Sequence, residues 1–535
     1  PIREHRNIKG HAVRAAYLLS GATDVAAETG DAGLLAMIGR VWRNTTGKNM
    51  YVTGGIGSSA ANEGFTRDYD LPNRTAYQET CASIALAQWN RRLALLYGDS
   101  RYADVVERAL YNGALAGVSL DGRRFFYVNP LESDGRHHRS DWFSCACCPP
   151  NVTRTLASLG GYAYAVGADA LWVDLFVQGS VRATVAGRKI VVDVETDYPW
   201  DGKATFRPRF DEPTPLAIRL RVPGWCEGAS VAVNGRPIAD PKVERGYVVV
   251  DRTWDPGDAL TIDLPMPVRR VEAHPKVEAD AGRLAIQRGP IVYCVEAVDA
   301  GADLDSLYFP RDAELAAEKV PDLLGGVVVV KGTARAASDP DWGRALYRPA
   351  ASGTPVPFRA IPYYAWDNRE PGAMQVWLPT EPKPALVGEG EAGARVSMSF
   401  VASSCTPEAA RDGVEPASSD WQPPTNAHWW PHKGTEEWIQ YDWNGPRTFR
   451  SACVYWFDDE GRGECRVPAS WRLEYRDGGD WKPVRAEAAY GLAKDAWNEV
   501  AFDPVTTDAL RMVVQLREGW AAGVHEWKVR EADDE

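Results

Sequence analysis

The spacing of apolar residues divides the chain into a helical first third and a β-rich remainder. Up to about residue 164 the apolar residues recur every three or four positions, which is the period of an amphipathic helix. The adjacent Pro149 and Pro150 favour a helix start just after them, because proline suits the first helical turn. Helices are therefore predicted over 10–19, 31–43, 83–97, 102–116 and 151–164.

Beyond about residue 168 apolar and polar residues alternate, which is typical of half-buried β-strands. The pair Asn234 and Gly235 predicts a tight hairpin, because both residues tolerate the left-handed backbone of a type I′ turn. Strands are predicted over 171–177, 189–194, 216–222, 247–250, 284–290 and 291–294.

A chain of 535 residues is too long for one core and is expected to fold into about three or four domains. The change of period and a segment rich in Pro, Gly, Glu and Ala suggest the boundaries. We predict a multidomain α + β protein with a helical domain at 1–167, a β-sandwich at 168–267, a second β-sandwich at 268–380, a linker at 381–395 and a β domain at 396–535.

Charge and hydropathy restrict the classes of partner. The formal net charge of −13 argues against nucleic acid and anionic membranes. No apolar run approaches the roughly 20 residues that a membrane-spanning helix needs, so no span is predicted. The 21 tryptophans suit a protein that stacks indole rings on sugars, but tryptophan also fills β-sandwich cores, and for any single Trp the core is the stronger expectation.

Four of the nine cysteines lie in two short stretches. Cys81 follows Glu79 by two residues, and residues 145–151 read CACCPPN. Three thiolates and one carboxylate are typical zinc ligands, and the two prolines supply the tight turn that lets adjacent cysteines share one ion. Two alternatives stay open: a zinc ion that only ties two helices together, or a sulfur that also does chemistry.

These two stretches, 79–83 (ETCAS) and 145–151 (CACCPPN), resemble the signature of the family 127 glycoside hydrolases, which include β-L-arabinofuranosidases; family 146 is a close relative. The resemblance runs from residue 1 to about 380. Supporting segments are 10–14 (GHAVR), 51–58 (YVTGGIGS), 106–112 (VERALYN) and 221–225 (RVPGW).

The resemblance implies an (α/α)6 catalytic barrel, two β-sandwich domains and a retaining mechanism with a zinc-bound cysteine nucleophile. By its position in the CACCPPN motif, that nucleophile is Cys147. The zinc ligands would be Glu79, Cys81, Cys148 and Cys147 itself. Glu63, 16 residues before Glu79, matches the general acid/base. Cys145 is expected to take no part.

Three further residues, His11, Glu107 and Tyr127, match positions that contact the sugar in this family. Taken singly, each candidate has a plainer interpretation. A glutamate in a loop is usually solvated, a helical histidine usually lies in a core or at the surface, and Glu107 beside Arg108 suits a surface charge pair. The shared order and spacing of the motifs favour the functional assignment. The glycine-rich loop 51–59 lacks the lysine and spacing of a phosphate-binding loop and is predicted to be a turn at the barrel mouth.

One departure from the family pattern concerns the barrel. An (α/α)6 barrel has twelve helices, whereas residues 1–167 provide about half, so we expect a partial barrel whose N-terminal half is absent. The first residues, PIRE, carry no signal-peptide pattern and look like a start inside a domain. A truncated record is expected, with a processed chain or a partner chain that completes the barrel as alternatives.

The segment beyond the linker resembles a discoidin-like (F5/8 type C) module, a jelly roll that often binds carbohydrate at loop tips and sometimes carries a structural Ca²⁺. His428, Trp429 and Trp430 are candidates for a sugar platform. A Trp-rich core in a docking or stabilising sandwich is an almost equally weighted alternative.

The sequence therefore predicts a zinc-dependent retaining glycoside hydrolase acting on β-L-arabinofuranosides of plant-type oligo- or polysaccharides. Two alternatives remain: a hydrolase for another sugar, such as a branched acid sugar of pectin, and a carbohydrate-binding protein with a purely structural zinc and an inactive partial barrel. Reduced thiols suit the cytoplasm, while a zinc-protected site also suits the periplasm, and a homodimer stays open.

Overall fold

The structure is a computed structural model that describes residues 2–336, 353–382, 393–402, 405–414, 416–422, 426–486 and 488–531. The chain divides into two compact units, Pro1–Lys383 and Pro384–Glu535. The predicted linker, 381–395, lies largely outside the described residues, because 383–392 are not among them.

The described part of the first unit opens with helices. The α-helices are α1 (Ala12–Thr29), α2 (Ala32–Lys48), α3 (Thr80–Tyr97), α4 (Ser100–Arg108), α5 (Cys148–Ala157) and α6 (Gly160–Ala163). A π-helix covers Ala109–Ala114. The 3₁₀ segments of this unit are Ile2–Glu4, Leu115–Gly117, Glu278–Asp280, Ala297–Asp299, Leu304–Ser306 and Tyr363–Ala365, and the second unit has one at Pro407–Arg411.

The predicted helix 102–116 differs from the structure. The α-helix ends at Arg108 and continues as the π-helix and a 3₁₀ turn. This stretch lies directly against α3: a Cβ on Gly113 would lie 2.6 Å from Ser83 Oγ, and one on Gly117 would lie 2.3 Å from Thr80 Cγ2. Apolar spacing does not reveal this close approach.

The long helices share one core. Apolar residues of α1, α2 and α3 recur on the facing sides and are buried together, with Leu19, Ile38 and Trp89 at its centre. Three long helices pack together in many helical folds, so these helices do not test the predicted partial barrel, which stays a prediction.

The strands of the first unit are β1 (Glu132–Asp134), β2 (Tyr164–Val166), β3 (Ala170–Val173), β4 (Gly179–Val185), β5 (Arg188–Thr196), β6 (Lys203–Pro208), β7 (Thr214–Arg221), β8 (Ser230–Val233), β9 (Arg236–Pro237), β10 (Val243–Glu244), β11 (Tyr247–Trp254), β12 (Leu260–Asp263), β13 (Val268–Val271), β14 (Arg283–Arg288), β15 (Ile291–Glu296), β16 (Leu307–Tyr308), β17 (Leu315–Val320), β18 (Val327–Ala336), β19 (Thr354–Pro362), β20 (Ala373–Gln375) and β21 (Leu378–Pro379).

Two of the sheets share a single core. One has the order β10-β11-β7-β3-β2, and the other has the order β4-β5-β6-β12-β8-β9. Alternate residues of both sheets face the same apolar cluster, as in a β-sandwich. The predicted hairpin is confirmed, since β8 pairs with β9 across Asn234 and Gly235, whose φ angles are 50° and 73°.

A ten-stranded sheet follows, with β1-β20-β15-β19-β18-β16 as its main path. β1 comes from between the helices and pairs with β20, so this sheet includes a strand from the helical part of the sequence. Both faces of this sheet are buried at strand β15. Val292 and Cys294 face a cluster that includes loop residues of the helical region, while Ile291, Tyr293 and Val295 face a second cluster.

The second unit contains one seven-stranded sheet among its described residues, with β23-β28-β24-β27-β25-β26 in order and β22 beside β24. Its core is rich in Trp, including the fully buried Trp429, Trp456 and Trp527. No described helix of either unit is long and apolar enough to cross a membrane. The strands are β22 (Arg395–Met398), β23 (Ala427–His428), β24 (Glu436–Phe457), β25 (Ser470–Asp477), β26 (Asp480–Pro483), β27 (Trp497–Gln515) and β28 (Gly523–Glu531).

Candidate metal centre and active site

The first ligand pair lies at the start of α3. Glu79 occupies the N-cap position but makes no side-chain capping bond, so its carboxylate points away from the helix. Cys81 lies in the first turn, two residues later. Both side chains are buried, with exposed fractions of 2% and 3%. The helix start therefore presents one carboxylate and one sulfur to the same side.

The second ligand pair lies at the start of α5. Cys147 is the N-cap residue, Cys148 is the first helical residue, and proline follows in the first turn. A helix N-terminus stabilises negative charge, so it favours thiolates at both positions. Cys148 is fully buried, whereas Cys147 is only partly buried.

The two helix starts bring these four residues together as predicted. The Sγ of Cys148 lies 3.5 Å from Cys81 Sγ and 3.7 Å from Cys147 Sγ. The Glu79 Oε1 lies 3.4 Å from Cys147 Sγ and 3.9 Å from Cys148 Sγ. Ligands at usual zinc bond lengths on a tetrahedron are separated by about 3.5 to 3.8 Å. The cluster therefore has the size of a tetrahedral zinc site.

The charges of this cluster also call for a cation. Burial raises the pKa of the Glu79 carboxyl. Burial and the neighbouring Cys81 sulfur raise the pKa of Cys147, and the hydrogen bond with Cys81 raises that of Cys148, while the same bond lowers the pKa of Cys81. The negative charges of these four groups therefore oppose one another, and of the three thiols only Cys81 has a lowered pKa. A divalent cation removes this conflict, because it stabilises every ligand in its deprotonated form.

One buried oxygen atom of Glu79 is consistent with a metal ligand. Within the described residues, Glu79 Oε2 is buried and has no hydrogen-bond partner. An unsatisfied buried carboxylate oxygen is costly unless an ion accompanies it. Three thiolates and one carboxylate are a soft donor set that suits zinc, so the residues fit the predicted metal. Cys145 is exposed and lies outside the four-residue group.

The predicted acid/base, Glu63, lies next to this cluster. Its Oε2 is 3.2 Å from His11 Nε2, and these two groups and Glu79 have ligand atoms within 4.8 Å of one another. His11 Nδ1 accepts a hydrogen bond from the backbone N–H of Val13, which leaves Nε2 as the ring nitrogen that faces Glu63. Backbone contacts fix this pair, since Ala12 N–H donates to Glu63 O at 2.9 Å.

Tyr127 connects the carboxylate with the sulfurs. Its hydroxyl donates to Glu63 Oε2 at 3.4 Å and also contacts the Cys147 sulfur. Burial and the nearby Glu79 raise its pKa, so the phenol stays protonated. Tyr77 packs edge-on against it, with ring centroids 6.1 Å apart, and its pKa is raised by burial and by Glu63.

Sequence reasoning missed three contributors to this site. Tyr77 and Gln78 immediately precede Glu79, and Asn151 closes the CACCPPN motif, where its side chain hydrogen-bonds the Cys81 sulfur and lowers that thiol's pKa. Their direct adjacency to predicted ligands is the signal that was available in the sequence.

Glu107 lies elsewhere. It belongs to α4, and its carboxylate is 1% exposed. One oxygen binds the Arg221 guanidinium and the Tyr198 hydroxyl, and the other accepts from Trp225 Nε1 at 3.0 Å. The structure therefore does not bring Glu107 to the cluster with His11 and Tyr127.

In the second unit, the candidate sugar platform is divided. Trp429 is fully buried in the core, while Trp430 is 45% exposed and donates to Glu464 at 2.8 Å. His428 stacks on Phe457. Among the described residues, both groups of three or more acidic, His or Cys ligands lie in the first unit. The predicted Ca²⁺ stays a prediction, because calcium also uses backbone carbonyls.

Comparison with known proteins matches these segments to family models. The described families are "Beta-L-arabinofuranosidase, GH127 catalytic domain" at residues 1–161, "Beta-L-arabinofuranosidase, GH127 middle domain" at 170–266, "Glycoside hydrolase family 127 C-terminal domain" at 268–379 and "F5/8 type C domain" at 397–527.

Individual relatives agree with these matches. A non-reducing end β-L-arabinofuranosidase of Bifidobacterium longum subsp. longum is 40% identical over 403 residues, which are 70% of this chain and 60% of that protein. A GH127 β-L-arabinofuranosidase structure from Geobacillus stearothermophilus T6 is 49% identical with a TM-score of 0.67, and covers 70% of this chain and 61% of its own.

A third relative, a solved glycoside hydrolase, is 35% identical with a TM-score of 0.67 over 71% of this chain and 67% of its own. The chain thus spans about 60% of the length of the first two relatives. The shared sequence is high enough, and distributed over enough of the first unit, to fix the family. This multidomain chain belongs to glycoside hydrolase family 127 and carries an F5/8 type C domain after the family segments.

Proposed function

We propose that this protein is a zinc-dependent retaining glycoside hydrolase that releases β-L-arabinofuranosyl groups. The observation that carries the proposal is the juxtaposition of two groups: a partly exposed Cys147 sulfur 3.4 Å from Glu79, and a Glu63 carboxylate that is 43% exposed and held by His11 and Tyr127. A nucleophile and an acid/base must both reach solvent and substrate, and these two residues do.

Glu79, Cys81, Cys147 and Cys148 would hold the zinc, which when bound keeps the sulfurs deprotonated at neutral pH. Cys147 Sγ attacks the anomeric carbon as the glycosidic C–O bond breaks, and Glu63 gives its proton to the leaving oxygen. Water then attacks the same carbon, the C–S bond breaks, and Glu63 takes the proton from water. Two inversions give net retention.

The supporting residues have separate tasks. His11 orients the Glu63 carboxylate by placing Nε2 3.2 Å from its Oε2, and Tyr127 places a neutral hydroxyl between Glu63 and Cys147. Both are also proposed to contact the sugar. Glu107 is left out of this set, because both of its carboxylate oxygens already bind other side chains.

The proposed substrate follows the names of the relatives, which are β-L-arabinofuranosidases. Plant-type oligo- or polysaccharides are the proposed source, and another sugar, such as a branched acid sugar of pectin, is the alternative within the class. In this proposal residues 1–167 form part of an (α/α)6 barrel, 168–267 and 268–380 are β-sandwich domains, and 396–535 is a discoidin-like jelly roll.

The decisive experiment measures p-nitrophenol release from p-nitrophenyl β-L-arabinofuranoside. Cys147→Ser is expected to lose on the order of 10³-fold or more in kcat/KM, because a serine hydroxyl is a far weaker nucleophile than a thiolate. Cys145→Ser, outside the cluster, is the matched control and should retain full turnover. Turnover by Cys147→Ser at the level of the unchanged protein would remove the nucleophile assignment.

Glu63→Gln tests the acid/base role separately. It should lose about 10²- to 10⁴-fold in turnover of substrates with poor leaving groups, and less with nitrophenol, which needs little protonation to leave. Its zinc content should be unchanged. Equal losses on both kinds of substrate would contradict the assignment.

One observation favours a second candidate, a carbohydrate-binding protein with a structural zinc: Glu79, Cys81, Cys147 and Cys148 together would supply all four ligands, as in closed structural zinc sites. In that case neither the unchanged protein nor Cys147→Ser would release nitrophenol, while arabinan or another glycan would still bind. Measurable turnover by the unchanged protein eliminates this candidate.

A further inference from the structure

The residue that precedes the ligand Glu79 has an unusual backbone. Gln78 has φ of +34°, in the left-handed region that residues with a side chain rarely adopt, and it is 1% exposed. A non-glycine residue there costs about 1 kcal/mol or more, so the surroundings must hold it in place. The turn at Gln78 sets the direction in which Glu79 leaves the chain and enters α3.

Four hydrogen bonds hold this turn. The Gln78 backbone N–H donates to Gly57 O at 2.9 Å, and Gln78 O accepts from Asn129 Nδ2 at 2.8 Å. The side-chain Oε1 accepts from Thr53 Oγ1 at 2.7 Å, and Nε2 donates to Asn129 O at 2.9 Å. Every polar group of this buried residue therefore has a partner, drawn from two different loops.

The glycine-rich loop is shaped around this side chain. A Cβ on Gly55 would lie 2.1 Å from Gln78 Oε1, so no larger residue fits at that position without moving the amide. The sequence pattern predicted only a turn for this loop. In the structure it forms one wall of a clamp on Gln78.

The other wall belongs to the segment that carries Tyr127. Asn129 Nδ2 donates to Thr80 Oγ1 at 2.9 Å as well as to Gln78 O, and Thr80 N–H donates to Tyr127 O at 2.9 Å. Residues on both sides of Glu79 are thus tied to the segment that supplies the site's hydroxyl. Glu79 itself makes no capping bond, and its Oε2 is buried without a partner, so its carboxylate contacts within the described residues are the long ones from Oε1 to the cysteine sulfurs.

We infer that Gln78 is a positioning residue for the metal ligand Glu79: its clamped amide holds the left-handed turn that aims the Glu79 carboxylate at the three sulfurs. This inference rests on the proposed metal site. It assigns to the glycine-rich loop, through Thr53 and Gly55, a role in metal affinity that its sequence does not suggest.

The test measures zinc affinity, by competition with a colorimetric chelator, together with the thermal unfolding midpoint. Gln78→Met keeps the length of the side chain but removes both hydrogen bonds of its amide group. Zinc binding should weaken about 10- to 100-fold, as for other residues that orient metal ligands. Thr53→Val removes a single hydroxyl bond without changing shape, and a severalfold loss is expected.

Asn112→Leu is the matched control. Asn112 is a fully buried amide with an equally complete set of bonds, since it donates to Pro290 O at 3.0 Å and accepts from Val292 N–H at 2.8 Å, away from the cluster. This variant should lower the unfolding midpoint but leave zinc affinity within about twofold. A purely structural Gln78 would behave in the same way.

The possible outcomes distinguish failure of the proposed metal site from failure of the positioning role of Gln78. If the unchanged protein binds no zinc, the proposed metal site falls and the role of Gln78 falls with it. If the unchanged protein binds zinc and the folded Gln78→Met binds it equally well, only the positioning role is overturned. Should Gln78→Met fail to fold, Thr53→Val decides: unchanged zinc affinity in that variant overturns the inference.

Discussion

At the scale of single residues, similar side chains differ in chemistry because their surroundings differ. Cys81 and Cys148 are buried among ligand atoms, Cys147 is partly exposed at the same cluster, and Cys145 is exposed outside it. Only Cys147 combines ligand contacts with access for a substrate. The division of roles implied by the family resemblance stays a prediction, and the difference in burial is consistent with it.

Burial also makes the contribution of Asp280 to the stability of the protein depend on pH. Burial raises the pKa of its carboxyl to about 6, although Asn73 Nδ2 donates to it at 2.8 Å. The folded state therefore binds the proton more tightly than the unfolded state, whose carboxyl titrates near 4. Stability from this group is present below about pH 4 and is lost as pH rises to about 6.

Asp280→Asn should therefore stabilise the protein at pH 8 by about 1–3 kcal/mol and have little effect at pH 4. The amide retains an oxygen that can accept from Asn73. Urea unfolding at both pH values measures the change in the free energy of unfolding. Glu278→Gln, at an exposed position, is the control and should show the same small change at both pH values. A stabilisation that is equal at both pH values would contradict the assignment to titration.

At the scale of elements, the start of α1 is fastened to the loop that carries Glu63. Gly64 approaches the chain before α1 so closely that a Cβ would lie 1.9 Å from Gly10 O and 2.9 Å from His11 Cα. This contact, together with the bond from Ala12 N–H to Glu63 O, sets the separation of His11 and Glu63. The packing of one glycine therefore determines the geometry of the acid/base pair.

Gly64→Ala should displace His11 from Glu63 and lower kcat/KM on the nitrophenyl substrate by about tenfold or more, since small misplacements of catalytic groups are costly. Zinc content should stay the same, because the proposed metal ligands lie at the starts of α3 and α5. Gly21→Ala within α1 meets no atom within 4 Å and serves as the control, with full activity and slightly higher stability. Full activity in Gly64→Ala would disprove the coupling.

At the scale of the first unit, a buried ion network joins α4 to the five-stranded sheet. Arg221 of β7 is completely buried and binds Glu107 and, at 2.5 Å, Asp104. The Asp174 backbone oxygen accepts from the same guanidinium. One guanidinium thus pairs with two carboxylates of a single helix, which fixes that helix against the sheet.

Arg221→Met should destabilise the first unit by about 3–5 kcal/mol, because two carboxylates are left without their cation in a buried site. The double variant Arg221→Met, Glu107→Gln should recover part of this loss. Urea unfolding is the measurement, and Arg3→Ala, which breaks the exposed pair with Asp31, should cost less than about 1 kcal/mol. If Arg221→Met and Arg3→Ala lowered the free energy of unfolding by similar amounts, burial would not be the cause of the loss.

Features that depend on neighbouring residues follow from the amino-acid sequence alone. Apolar periodicity located α2 and α3, the Asn234–Gly235 pair gave its hairpin, and the prolines after Cys148 predicted a helix from residue 151, three residues after the observed start of α5. These signals operate within one or two helical turns, so the order of residues is enough. The motifs then named the family.

Contacts between residues far apart in the chain became visible in the folded structure. Glu107 pairs with Arg221, 114 positions later in the chain, and this contact takes it away from the predicted sugar site. Gln78 is clamped by residues 25 positions before it and 51 after it. Such contacts depend on how helices and loops pack, and packing is set by the combined burial of many side chains rather than by any local pattern.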